Sequence, residues 1–251
     1  MMDLSFSFIA ASMIAALSVG MSKGGLPAIS MISVPILSFS MPPPMAAGLL
    51  LPLYILSDAY GVWLYRREFS AQNLKILMPA GALGTLIGFL TVTSISSDTV
   101  KLAVVAVVFY ALIDRILRRL RSRTAPRPAR LSVGLFWGSL AGLTSYIAHA
   151  GAPPYQAYIL PQRLPKMVFA GTSTLFFAAI NLMKIPPYSL AGQITWASFG
   201  NVLFLAPMAL LGAWLGYRIT QTLSERVYFT IIEVALFLIA LRLLYDVFAA
   251  G

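Results

Sequence analysis

The chain has 251 residues, of which 59% are apolar and only 10% are Asp, Glu, Lys or Arg. A soluble domain carries about 25% charged residues, so this composition and a mean hydropathy of +0.84 exclude a water-soluble enzyme or nucleic-acid-binding domain. The net charge of +10 would suggest nucleic acid in a polar chain; here the positive residues fall between apolar runs and read as topology signals.

In chain order, the apolar segments are Leu4–Val19, Ala28–Phe39, Met45–Tyr65, Leu74–Val92, Val100–Leu120, Leu131–Ala148, Tyr155–Leu160, Val168–Met183, Ile194–Tyr217 and Val227–Phe248. All are expected to be helices, because a chain in hydrocarbon must satisfy its own backbone hydrogen bonds. They are continuous runs, which argues against the alternating strands of a barrel. The first follows Met1-Met2-Asp3 without a basic n-region, so it reads as a membrane segment and not a cleavable leader. Most of the runs approach the ~20 residues that cross a bilayer. Two pairs are shorter: Leu4–Val19 with Ala28–Phe39, and Leu131–Ala148 with the stretch from Tyr155. They are joined by turns rich in Gly and Pro, at 20–27 and 149–154. Each pair is either a re-entrant hairpin or two shortened spans.

The two pairs align with each other. Gly25 matches Gly151, Pro27 matches Pro153, and Pro35 matches Pro161. Farther along, Ala47-Gly48 matches Ala170-Gly171, Asp58 matches Asn181, Pro79 matches Pro207, Gly84 matches Gly212 and Gly88 matches Gly216. The expected fold is therefore an all-α integral membrane protein of two repeats, 4–120 and 131–248, separated by a basic linker at 121–130. Each repeat holds a short broken or re-entrant helix pair and three transmembrane helices. Five segments is an odd number, so the second copy should be inverted. An inverted arrangement with both termini outside places Arg66, Arg67, Lys75, the arginines from Arg115 to Arg130, Arg163, Lys166, Arg218 and Arg226 on one face. The positive-inside rule makes that face cytoplasmic. Lys101, Lys184 and Arg242 fall on the other face, and Lys23 on neither.

Irregular backbone within a membrane is tolerated where it is buried in protein or lines a wet cavity. Pro27 and Pro153 stand where the first helical residue would be, and Gly24, Gly25 and Gly151 permit a tight turn before them. Two helix N-termini would then offer N–H groups to an anion, as at the broken helices of inverted-repeat transporters. Lys23 and His149, the only histidine, lie in these turns and align with each other. Both either help hold an anion or play structural parts, Lys23 by reaching an interface and His149 by hydrogen bonding. Ser18, Ser22, Thr144, Ser145, Thr172 and Ser173 supply hydroxyls suited to an oxyanion or to helix packing, with Tyr155, Tyr146 and Gln156 as further lining groups. Asp58 lies inside a span. It is either a coupling site for a proton or other ion, with Asn181 as its uncharged counterpart, or a buried carboxylate paired to Lys23 or hydrogen-bonded to backbone. Glu233 is a weaker candidate of the same sort. No catalytic motif is present, and one His with few carboxylates and no Cys makes a metal centre unlike anything this chain could assemble. No cofactor is expected.

The stretches Ser22-Lys23-Gly24-Gly25-Leu26-Pro27 and Ala148-His149-Ala150-Gly151-Ala152-Pro153-Pro154 resemble the sulfite exporter TauE/SafE family. Leu160-Pro161-Gln162-Arg163-Leu164-Pro165 and Ala170-Gly171-Thr172 support the likeness, which covers essentially the whole chain. The resemblance implies a multi-pass inner-membrane transporter for sulfite, sulfoacetate, other organosulfonates or related small anions. The expected function is secondary transport of such an anion by alternating access. An anion channel is the second reading, and a membrane enzyme or structural subunit the third. The expected partners are the anion, the lipid bilayer, a proton or other coupling ion, and a second copy of the chain.

Overall fold

The computed structural model describes residues 6–41, 43–92, 94, 97–120, 125–192 and 196–248. Arg121 and Arg123 of the basic linker and both chain ends lie outside the described residues, as do the side chains of Lys101, Arg115, Arg118 and Arg119. The chain forms ten α-helices among those residues: α1 (Phe6–Lys23), α2 (Ser33–Ser38), α3 (Pro43–Tyr65), α4 (Ala71–Thr91), α5 (Ser97–Leu120), α6 (Leu131–Ala148), α7 (Ala152–Ile159), α8 (Lys166–Leu190), α9 (Trp196–Thr222) and α10 (Glu225–Phe248). Short 3-10 turns precede α2 (Ile29–Ile32) and follow α7 (Leu160–Gln162). No strand occurs among the described residues.

Seven of the helices are long and apolar enough to cross a bilayer. They include α1 and α6, whose 18 residues each reach about 27 Å. The first short segment is therefore longer than the apolar run alone suggested: α1 continues past Val19 to Lys23, because Gly20, Met21 and Ser22 keep helical hydrogen bonding. In contrast, α2 and α7 have six and eight residues. Helix α8 also outruns its apolar segment, continuing through Lys184, Pro186 and Pro187 to Leu190.

Contacts divide the chain into two compact units. One comprises 1–69 and 170–223, the other 70–169 and 224–251. Each unit thus draws helices from both halves of the sequence. In the first unit, Phe8, Ala15 and Val19 of α1, Leu37 of α2, Leu50 and Leu53 of α3, and Leu205 and Ala209 of α9 form one apolar core. Arg66 stacks over Trp63 at the end of α3, and Arg218 over Trp214 near the end of α9, the pairing of cation and aromatic that suits a membrane–water boundary.

The tightest packing in each unit is a crossing of two parallel helices through small residues. In the first unit, a Cβ on Gly20 would strike the Ala209 carbonyl, and one on Gly212 the Leu17 carbonyl. In the second, Gly84 lies against the Ser139 carbonyl and Gly142 against the Gly81 carbonyl. Contacts advance together along both chains, from Leu17–Gly212 to Met21–Gly216 and from Gly138–Ala80 to Gly142–Thr85, so both crossings are parallel. Lipid tails are as apolar as leucine, so helices associate in a membrane through close van der Waals contact, which small residues allow. In the second unit, Asn73 and Gln162 exchange amide hydrogen bonds at 3.0 and 3.1 Å, and Ser70 caps α4 by accepting from Asn73.

Substituting alanine at Gly20 or Gly84 must separate backbones already in contact, an overpacking cost of about 1–3 kcal/mol. Thermal unfolding of the detergent-solubilised variants is expected to shift down by several degrees. Leu83→Ala, beside Gly84 but 53% exposed, should leave the midpoint close to wild type.

Candidate functional site

Helix α1 ends in a turn whose carbonyls are held from three other helices. Gly25 adopts a φ of 114°, a conformation that disfavours any side chain. A Cβ there would also meet the Tyr65 hydroxyl at 2.5 Å and Thr220 Oγ1 at 2.6 Å. The Gly24 carbonyl accepts from Tyr65 (2.6 Å) and Thr220 (3.2 Å), and the Lys23 carbonyl from Thr174 (3.1 Å). Buried carbonyls need such partners, so the turn is fixed and with it the direction of the Lys23 side chain.

Lys23 Nζ lies 2.8 Å from Asp58 Oδ1 on α3 and 4.9 Å from the centre of the Tyr54 ring, one helical turn earlier. Asp58 Oδ2 accepts from Asn181 Nδ2 on α8 at 2.7 Å. Asn181 Oδ1 in turn accepts from Lys184 Nζ at 3.4 Å. The chain Lys23–Asp58–Asn181–Lys184 is almost dry: none of the four is more than 4% exposed. Two lysine side chains thus converge on one carboxylate inside an apolar unit, Lys23 directly and Lys184 through Asn181. Tyr54 extends the network to α2 through Ser33 Oγ at 3.0 Å.

The structure brings together Lys23, Asp58 and Asn181 as an ion pair extended by an amide. The pairing of Asp58 with Lys23 is among the readings the sequence offers. Lys184, just past the apolar run that ends at Met183, is fully buried within α8. Its spacing of three from Asn181 was the available signal, since residues three apart share a helix face.

Several expected anion contacts are engaged elsewhere. Ser18 donates to Ile14 O at 2.8 Å, Ser22 to Val19 O at 2.7 Å and Thr144 to Leu140 O at 2.8 Å. Each hydroxyl proton is directed to its own helix backbone, the packing alternative for serine and threonine. Ser22 and Lys23 are helical residues and not loop residues. Pro27 begins no helix; the 3-10 turn starts at Ile29 and α2 at Ser33. Thr172 and Ser173 are buried in α8, and Ser173 Oγ has no hydrogen-bond partner among the described residues.

The second turn is built differently. Gly151 has an ordinary φ of −75° and caps the start of α7, where Pro153 and Pro154 follow Ala152. The left-handed position belongs to His149, at φ 50°. Its N–H donates to Ser145 O at 3.1 Å and closes α6. Ser145, His149, Gly151, Pro153 and Tyr155 are all buried, and Tyr155 donates to Phe169 O at 3.3 Å. The helix crossings also pair positions differently from the turns. Gly20 and Gly142 take corresponding places, and so do Ala209 and Gly81. That register puts Lys23 in correspondence with Ser145, not His149. Among the described residues, no group of three His, Cys, Asp or Glu could hold a metal.

A model of the sulfite exporter TauE/SafE family matches residues 12–243. No curated protein and no solved structure matches the chain. The family match spans nearly the whole sequence and the helices are those of a multi-pass membrane protein. The chain therefore belongs to the sulfite exporter TauE/SafE family, which comprises membrane transporters and not enzymes.

Proposed function

We propose that the protein is a secondary transporter of a sulfur oxyanion or organosulfonate in the cell inner membrane, with the substrate held at the Lys23–Asp58–Asn181–Lys184 cluster and transport coupled to a proton at Asp58. The observation that carries this is the buried cluster itself: Lys23 pairs with Asp58, and Lys184 reaches the same carboxylate through Asn181. Charge-assisted hydrogen bonds from such groups to the oxygens of an anion are stronger than neutral ones. Protonation of Asp58 releases Lys23 to the anion as well, so proton and anion favour each other's binding.

The inverted-repeat arrangement belongs to the same proposal. In an inverted pair, the first helix of one copy runs parallel to the fourth helix of the other; in a direct repeat it runs antiparallel. The parallel crossings of α1 with α9 and of α4 with α6, with corresponding glycines at both, support inversion. The proposal retains a cytoplasmic basic linker, both termini outside, and alternating access.

Reconstitution in liposomes tests it. Saturable counterflow of sulfite or sulfoacetate is expected; flux proportional to concentration without saturation would indicate a channel. Lys184→Gln removes the amine but keeps a donor for Asn181. It should weaken anion affinity about 10- to 100-fold, the span of a charge-assisted hydrogen bond of ~1.5–3 kcal/mol, without loss of thermal stability. A purely structural lysine would give the reverse result.

Removing Lys23 alone strands a buried carboxylate, at a cost of about 3–5 kcal/mol. Flux is therefore read in the Lys23→Met, Asp58→Asn double variant, which should fold and transport nothing. Asp58→Asn alone, which strands Lys23 and is therefore purified with the anion present, should bind the anion at least as tightly as wild type and carry it without response to a pH gradient. A normal pH response in that variant would remove Asp58 from coupling.

A further inference from the structure

The second unit contains a cavity of about 540 Å³ that the transport proposal does not use. Its walls are α5, α7 with its following 3-10 turn, and α10. Gln156 of α7 lines it, fully buried, and neither amide atom has a hydrogen-bond partner among the described residues. A buried amide left without partners keeps its full desolvation penalty, so a wall built this way favours a polar occupant. Glu233 of α10 lines the same cavity, about 12 Å along the helix from Glu225 at the cavity's other end. It lies within a segment apolar enough to span a membrane. Arg163 and Arg226 also line it and are exposed, which puts them at the mouth.

The lining selects a chemical class. A simple anion would meet Asp114, Glu225 and Glu233, and a simple cation would meet the two arginines. A molecule bearing both charges satisfies both sets. The remaining wall is apolar, with Phe229, Val234 and Leu160, and the volume exceeds what a bare headgroup fills. Val234 is 51% exposed on a helix apolar enough to span a membrane and only 22% buried within the protein, so the apolar side is open to acyl chains. We infer that this cavity is a binding site for an aminophospholipid, its phosphate held at Arg163 and Arg226, its ammonium directed to Glu233 and the Gln156 carbonyl oxygen, and its glycerol and first acyl carbons on the apolar wall.

Native mass spectrometry of the purified protein, titrated with phosphatidylethanolamine, phosphatidylcholine and phosphatidylglycerol of identical chains, tests this. One saturable phosphatidylethanolamine adduct is expected, at least tenfold tighter than the other two. Glu233→Gln and Gln156→Leu should abolish the preference over phosphatidylcholine, whose quaternary nitrogen donates no hydrogen bond. Arg226→Gln, at an exposed position where folding is undisturbed, should weaken the adduct about tenfold. Lys184→Gln should leave it unchanged, which keeps this site separate from the anion cluster. Equal retention of the three lipids would overturn the inference. So would an unchanged adduct in both Glu233→Gln and Arg226→Gln, or water-soluble glycerophosphoethanolamine binding as tightly as the lipid.

Discussion

The first unit is organised around a buried carboxylate. Asp58 forms an ion pair with Lys23 and accepts a hydrogen bond from Asn181, side chains brought by helices distant in sequence. Removing either partner would leave charge or dipole uncompensated in a medium where such groups are costly. The three helices α1, α3 and α8 are therefore tied by polar chemistry in addition to close packing. The turn after α1 is subject to the same constraint. Its carbonyls are satisfied by Tyr65, Thr174 and Thr220, so that the backbone break itself leaves no orphaned acceptor at Lys23 or Gly24.

The cluster extends beyond a single salt bridge: Lys184 joins it through Asn181, whose amide bridges the Asp58 carboxylate and the second lysine. The hydroxyls near the turns serve a different end. Ser18, Ser22 and Thr144 are directed to their own helices, which lets polar side chains face tight interhelical contacts without stranded protons.

Much of this was legible before any coordinates. Continuous apolar runs mark nearly every helix, since hydrocarbon leaves the backbone few alternatives. Asp58 and Asn181 align between the halves of the sequence and prove to be hydrogen-bonded neighbours. Gly25 occupies the strained position its residue type suggested. What could not be read has physical reasons. Lys184 is hidden because hydropathy treats every lysine as a helix end, and two prolines near a terminus need not stop a helix whose missing N–H bonds fall in its last turn. His149, not Gly151, takes the left-handed position, because the α6 capping bonds select the residue that follows Ala148. Gln156 and its cavity depend on the convergence of three helices, which no local pattern records.

The interleaving of the two sequence halves bears on how the molecule is made. Helix α1 leaves the ribosome long before α9, and α4 before α6, yet each later helix supplies the surface onto which the earlier glycines fit. Until synthesis is nearly finished, Gly20 presents its bare groove to lipid or to an insertase, and Lys23 has Asp58 for company but not Asn181. Half of this protein made alone would hold neither finished unit, whereas two halves made together have the surfaces to find each other.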